Sequence, residues 1–276
     1  MIGALTRRDL LAGAGLLNLA GMTIQTAASS QAAEWLPDQG KESWRHTVRM
    51  QASTRPEDVL WWYTGRIYAQ VGESEPRHLY NLEGTEIYWY EEQSNGEFAV
   101  SSRTLTFFRD VQTGAMLREF ENPFTGKTNT VEANRLGGRH NTYYGPDGWR
   151  IVGPGIAKDK DNEPWQLEWH RAEDLTWFTS SRFIREFPQP WLESMTVFCN
   201  SDALQDTKQG NLPAHFTSTY LSPWPRWMEM GDHPGHVVWH SSGRKLSSKA
   251  SVPDEYRQRV DEEYGGVLTA HPDSFG

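Results

Sequence analysis

Cysteine is nearly missing from these 276 residues: Cys199 stands alone, so no internal disulfide can form and no cysteine cluster can hold a metal. Stability has to come from the packed core. A positive charge balance is missing too. Asp and Glu number 36 against 27 Lys and Arg, giving a net charge of −9 with neutral histidines, which disfavours nucleic acid and anionic lipid as partners. No apolar run reaches the roughly 20 residues a spanning helix needs, so no stable membrane span is expected. The sequence has no nucleophile elbow, no phosphate-cradling loop and no dinucleotide fingerprint, and no cofactor is expected from it. Gly153-Pro154-Gly155-Ile156-Ala157-Lys158 lacks the spacing of a phosphate loop and reads as a turn.

What is present begins with an address. Thr6-Arg7-Arg8-Asp9-Leu10-Leu11 opens a short apolar stretch that runs to Ile24, and Ala27, Ala28, Ala32 and Ala33 follow it. A charged start, an apolar centre and small residues for cleavage make a signal segment over residues 1–33. The paired arginines point to the twin-arginine export machinery, whose receptor reads the pair itself, and therefore to a periplasmic or secreted protein exported already folded. Removing this segment takes away Arg7, Arg8 and Asp9, so the net charge of the remainder moves from −9 to about −10. Residues 34–276 contain no Pro/Gly/Ser linker and no charge block, and are expected to form one domain.

That domain is rich in rings, with 13 Trp, 10 Tyr and 11 Phe. Such side chains either pack the interior or line a cavity for a flat or greasy molecule. From Trp44 to Val131, short aromatic and β-branched runs are punctuated by turns at Ser94-Asn95-Gly96, Gln112-Thr113-Gly114 and Phe124-Thr125-Gly126, the signature of an antiparallel meander. Thr104-Leu105-Thr106-Phe107 alternates as a strand does with one wet and one buried face. Strands continue through 165–183, 191–198, 215–220 and 236–241. Short helices are expected near Arg55–Val59, with Thr54 as cap, and at Asp254–Glu263, ahead of Gly265-Gly266. The expected fold is all-β: an antiparallel barrel or strongly curved sheet with minor helices.

Four segments carry a family resemblance: Trp61-Trp62-Tyr63-Thr64-Gly65-Arg66-Ile67-Tyr68-Ala69, the turns Asp110–Gly114 and Glu121–Gly126, and above all Ser222-Pro223-Trp224-Pro225-Arg226-Trp227-Met228-Glu229-Met230-Gly231. They resemble a family of bacterial and fungal proteins catalogued as domain of unknown function number eighteen thirty-eight. The likeness spans essentially the whole chain after the signal segment. It implies a lipocalin-like (calycin-like) barrel and carries over no catalytic residues.

The best chemical constellation is Gln166, Glu168 and His170. On a strand, alternate residues share a face, so Glu168 and His170 would stand about 7 Å apart as an acid and base pair. Two orientations are open: the polar row faces the interior, or it faces water while Trp165, Leu167 and Trp169 pack the core. Trp62, Tyr63, Arg66 and Tyr68, with Arg103 and Arg109 on a nearby strand, are candidate ligand contacts able to polarise an oxygen; the other reading is that they cap the core edge. His236 and His240 would share a strand face roughly 13 Å apart, too far to share a metal. His233 lies at a Pro-Gly turn, His78 and His140 are isolated, and no metal site is expected.

The expected function is binding of a small apolar or aromatic molecule. It takes one of two forms, acid/base lyase or isomerase chemistry without a cofactor, or non-catalytic carriage of a hydrophobic ligand. A third possibility, an envelope-interaction protein, would show its aromatics in a surface patch. The export reading makes a direct prediction: replacing Arg7 and Arg8 together by lysine leaves the protein in the cytoplasm, as read by fractionation and retention of the uncleaved mass.

Overall fold

The computed structural model describes residues 35–37, 43–152, 163–184 and 191–275; the expected signal segment and the Gly153–Lys158 turn lie outside the described residues. From Leu36 onward the chain forms one unit. Its elements are α1 (Ser43–Gln51), β1 (Val59–Gln70), β2 (Arg77–Glu92), β3 (Phe98–Arg109), β4 (Glu119–Glu121), β5 (Thr128–Thr130), β6 (Asn134–Gly145), β7 (Gly148–Ile151), β8 (Leu167–Ala172), β9 (Leu175–Ile184), β10 (Trp191–Asn200), α2 (Ser201–Gln205), β11 (Ala214–Ser222), β12 (His236–Leu246) and α3 (Asp254–Tyr264). Ten strands build one antiparallel sheet in the order β7-β6-β3-β2-β1-β12-β11-β10-β9-β8, and β4 and β5 form a separate ribbon.

The sheet is all-β and curved, as expected, but it does not close into a barrel: β7 and β8 are its two end strands and do not pair with each other, and Trp149 of β7 bridges Glu163. Two meanders, one from each half of the chain, meet where β1 pairs with β12 from Leu60↔Leu246 to Gln70↔His236. Glycines allow the close approach at this seam. A Cβ on Gly65 would lie 2.3 Å from the His240 carbonyl oxygen, and one on Gly243 would lie 2.5 Å from that of Trp62. The three expected turns are present, with Gly96, Gly114 and Gly126 in the left-handed region at φ 81°, 72° and 70°, where an L side chain is strained.

Two helix expectations need correction. The Trp44 segment is helical, because Trp44, Val48 and Ala52, spaced four apart, bury together against Tyr90, Phe98 and Tyr144, and that amphipathic spacing outweighs aromatic strand propensity. The helix expected at Arg55–Val59 is absent. There Ser53 Oγ accepts from the Arg55 N–H at 3.0 Å and donates to Glu57 at 2.6 Å, holding a bend. The last helix forms, Asp254 to Tyr264, and stops at Gly265 with φ 64°.

The inner face of the sheet carries Trp61, Tyr63, Ile67, Phe108, Phe178 and Val197 in the main core. Above it, two buried cations lock α1, α2 and β12 together. Arg49 donates to the carbonyls of Leu204 (2.8 Å), Ala203 (3.3 Å), Gln209 (2.7 Å) and Asp206, satisfying the carboxyl end of α2. Lys245 Nζ donates to Arg49 O (2.9 Å), Ala52 O (2.6 Å) and Asn211 Oδ1 (3.0 Å); burial pulls its pKa well below the ordinary lysine range. On the outer face, α3 covers β1 to β3. Tyr256 packs against Trp62 and Phe107 and donates to Leu105 O at 2.6 Å. This explains why Thr104–Phe107 does not have the wet face its alternation implied: Leu105 and Phe107 bury beneath α3 while Thr106 is buried on the inner side.

The seam can be tested. Gly65→Ala puts a methyl group against backbone that cannot step aside, at a cost of about 2–3 kcal/mol. The expected thermal midpoint falls by on the order of 5 °C or more; an unchanged midpoint would show that the close approach is not required.

Candidate functional site

The residues expected to carry chemistry divide between the two faces. Trp62, Arg66 and Tyr68 project from the outer face of β1, and Tyr63 projects from the inner face. Gln166 precedes β8 and is exposed. Glu168 and His170 do share a face, with Nε2 and Oε1 3.4 Å apart, but it is the wet outer face of an edge strand: their side chains are 76% and 40% exposed. Of the two orientations open from the sequence, the structure has the outward one. Trp169 is buried on the inner side against Phe178, and the two-residue strand period turns both its neighbours outward. Arg103 donates to Thr269 O and Ser274 O at 3.0 and 3.1 Å and packs on Phe275, pinning the C-terminal segment. Arg109 bridges Glu83 (2.7 Å) and Glu255 (2.8 Å). Both arginines serve the fold.

The histidines are scattered. His233 packs on Phe124 and Trp224 at its turn, His240 Nδ1 lies 3.2 Å from Thr219 Oγ1, His140 pairs with Glu91 at 2.8 Å and His78 stacks on Tyr68. Among the described residues no group of three or more His, Cys, Asp or Glu is placed to hold a metal.

A different cluster forms on the inner face. Glu86 of β2 lies opposite Trp61 of β1 and Thr104 of β3. It is half-buried, with buried Tyr63 on one side and half-buried Tyr88 on the other. Tyr63 Oη is 2.7 Å from Thr106 Oγ1, and its ring lies flat over Gly84, where a Cβ would come within 2.5 Å of it. Burial first, then the negative charge of Glu86, pushes the Tyr63 phenol well above its ordinary range. The same two causes raise Tyr88, which also hydrogen-bonds to the Glu86 carboxylate. Both phenols therefore stay protonated as hydroxyl donors beside one carboxylate, in surroundings made of rings.

The sequence reading named Tyr63 and missed Glu86 and Tyr88. The available signal was Gly84-Thr85-Glu86-Ile87-Tyr88-Trp89-Tyr90, a strand with one carboxylate sharing a face with two phenols. Nothing in that strand tells which face is inside.

At the other end of the inner face, His46 of α1 packs edge-on against Trp169, whose indole N–H finds no acceptor among the described residues. Burial first, then the Arg49 charge, pulls the His46 pKa from 6.5 to about 4.

With this geometry in place, comparison with known proteins is informative at one level. The family model described as "Protein of unknown function (DUF1838)" matches residues 56–141 and 160–272. The chain belongs to that family. No curated protein matches it. Among solved structures, the crystal structure of MucB in complex with MucA(peri) is similar at 10% identity over 80% of this chain and 96% of that one, with a TM-score of 0.11. A score that low carries no argument about this DUF1838 protein.

The His46 environment predicts an acid-labile contact. Since the folded-state value of about 4 lies below the 6.5 of the exposed group, the unfolded chain binds the extra proton between these limits. Stability is complete above pH 6.5 and declines as pH falls toward 4. Urea unfolding from pH 7 to 4 should show wild type losing on the order of 1 kcal/mol more than His46→Phe, after allowance for solvent screening.

Proposed function

We propose that this protein is exported and holds a small apolar or aromatic molecule against the inner aromatic face, with the polar end of that molecule at Glu86, Tyr63 and Tyr88. The observation that carries this reading is the half-buried Glu86 carboxylate flanked by two protonated phenols, on a face that carries many rings. The paired Arg7-Arg8 and the apolar stretch behind it support the export part.

Such a trio suits proton transfer without a cofactor. Glu86 is the base that removes a proton from carbon beside a carbonyl, and Tyr88 and Tyr63 donate hydrogen bonds to the oxygen on which negative charge develops. Returning the proton to a different carbon completes an isomerisation; losing a neighbouring leaving group completes an elimination. In both cases the apolar rings exclude water and strengthen the electrostatic terms. Glu168 and His170, exposed on the outer face, lie apart from this cluster.

Native mass spectrometry of the protein purified from its own host, followed by turnover of the extracted molecule, tests the reading. Glu86→Gln should retain the bound organic mass and reduce turnover 10²–10⁴-fold, the range for loss of a general base. Tyr88→Phe should reduce it less. Retained ligand with no turnover in the wild type makes the protein a carrier, and wild-type turnover in Glu86→Gln removes the carboxylate from the mechanism.

A further inference from the structure

Among the described residues, α3 covers the outer face over β1 to β3, and no described helix covers it across β12, β11, β10, β9 and β8. The strand registers align its side chains into rows. Trp62, Arg244, His215, Phe198, Trp177 and His170 follow one another across six neighbouring strands. Beside them runs a hydroxyl row, Thr64, Ser242, Thr217, Thr196 and Thr179. Where the rows cross β1, β12 and β11 the surface sinks into a shallow groove of about 390 Å³ between Trp62, Phe198, His215 and Arg244.

Two further features define the chemistry of this face. Arg244 and Arg66 are exposed and make no hydrogen bond or ion pair with any described residue, although carboxylates outnumber cations in the chain as a whole. Of the carboxylates in line with the hydroxyl row, buried Glu83 holds Arg109 at 2.7 Å, and Glu168, at the β8 end, lies 3.4 Å from His170. The rings are also ordered. His170 stacks on Trp177 with centroids 5.4 Å apart, and Trp177 faces Phe198 at 6.0 Å. Half-exposed rings and a line of hydroxyls thus run in parallel along a track of roughly 24 Å, five interstrand steps, with the Arg244 and Arg66 guanidiniums at its β1–β12 end.

We propose that this outer face binds an extended acidic glycan, a polyuronate chain lying across the strands. Each component has a counterpart in that ligand. The rings stack on the C–H faces of the sugars, the Thr and Ser hydroxyls exchange hydrogen bonds with sugar hydroxyls, and Arg244 and Arg66 take the uronate carboxylates in forked pairs. The interstrand spacing is close to the advance of one pyranose ring along a 1,4-linked chain, so successive sugars meet successive strands. A single-stranded nucleic acid would also use rings and cations, but bases do not call for a hydroxyl row. This site lies on the opposite side of the sheet from Glu86 and does not depend on what that carboxylate does.

Isothermal titration with a tetragalacturonate tests the proposal, with the neutral tetrasaccharide methyl ester and a single-stranded oligonucleotide as comparisons. The tetragalacturonate should bind, weaken with salt, and exceed the ester at least tenfold. Arg244→Ala, at an exposed position with no side-chain partner among the described residues, should weaken binding about tenfold, and Arg66→Ala with Arg244→Ala further. Glu86→Gln should leave this affinity unchanged. Absence of heat at millimolar tetragalacturonate, equal affinity in Arg244→Ala, or tighter binding of the oligonucleotide each overturns the assignment.

Discussion

The pairing of β1 with β12 is the contact on which the rest of the molecule depends. It brings together residues 186 positions apart, Leu60 with Leu246, and fuses two local meanders into one ten-stranded sheet. Each meander alone would expose a long unpaired edge and half of a core. The seam is tight enough that Gly65 and Gly243 have no room for a side chain. Its neighbours, Trp61 and Tyr63 on one side and Trp62 on the other, are the rings against which α1 and α3 close.

Covering the sheet is done unequally among the described residues, and this division leaves its two sides with different surroundings. On the inner side, α1 and α2 are fixed by the many carbonyl bonds of Arg49 and Lys245, so that buried cations serve as staples between elements. Such groups tolerate burial because nearly every N–H they present is matched by an oxygen. On the outer side α3 reaches only the first meander, held by Tyr256 and the Arg109 bridge. The second meander keeps an open outer face, where strand register alone arranges side chains into rows.

Part of the candidate chemistry was legible in local sequence. The i,i+2 rule placed Glu168 with His170 correctly, and the structure holds them 3.4 Å apart. It could not assign their side of the sheet, because β8 is an edge strand whose inner neighbour Trp169 has a core position and whose outer side has no cover. Glu86 was illegible for the opposite reason. A carboxylate in the middle of a strand ordinarily faces water, and only the pairing of β2 between β1 and β3 brings Tyr63 and Thr104 around it. The Trp44 helix was hidden because its aromatic residues mimic a strand until their spacing of four is matched to a partner surface.

The sequence by itself determined the strand-rich class, the turn positions at Gly96, Gly114 and Gly126, the final helix and its stop, and the family, since each rests on local backbone preference or on motifs read within a few residues. Tertiary structure alone decided that the sheet stays open, that Tyr63 and Trp62 serve opposite faces, and that Glu86 has phenols for neighbours. The physical reason is that a strand fixes only the alternation of its side chains. Which side becomes the interior is chosen by long-range pairing and by the helices that the remaining surface can hold.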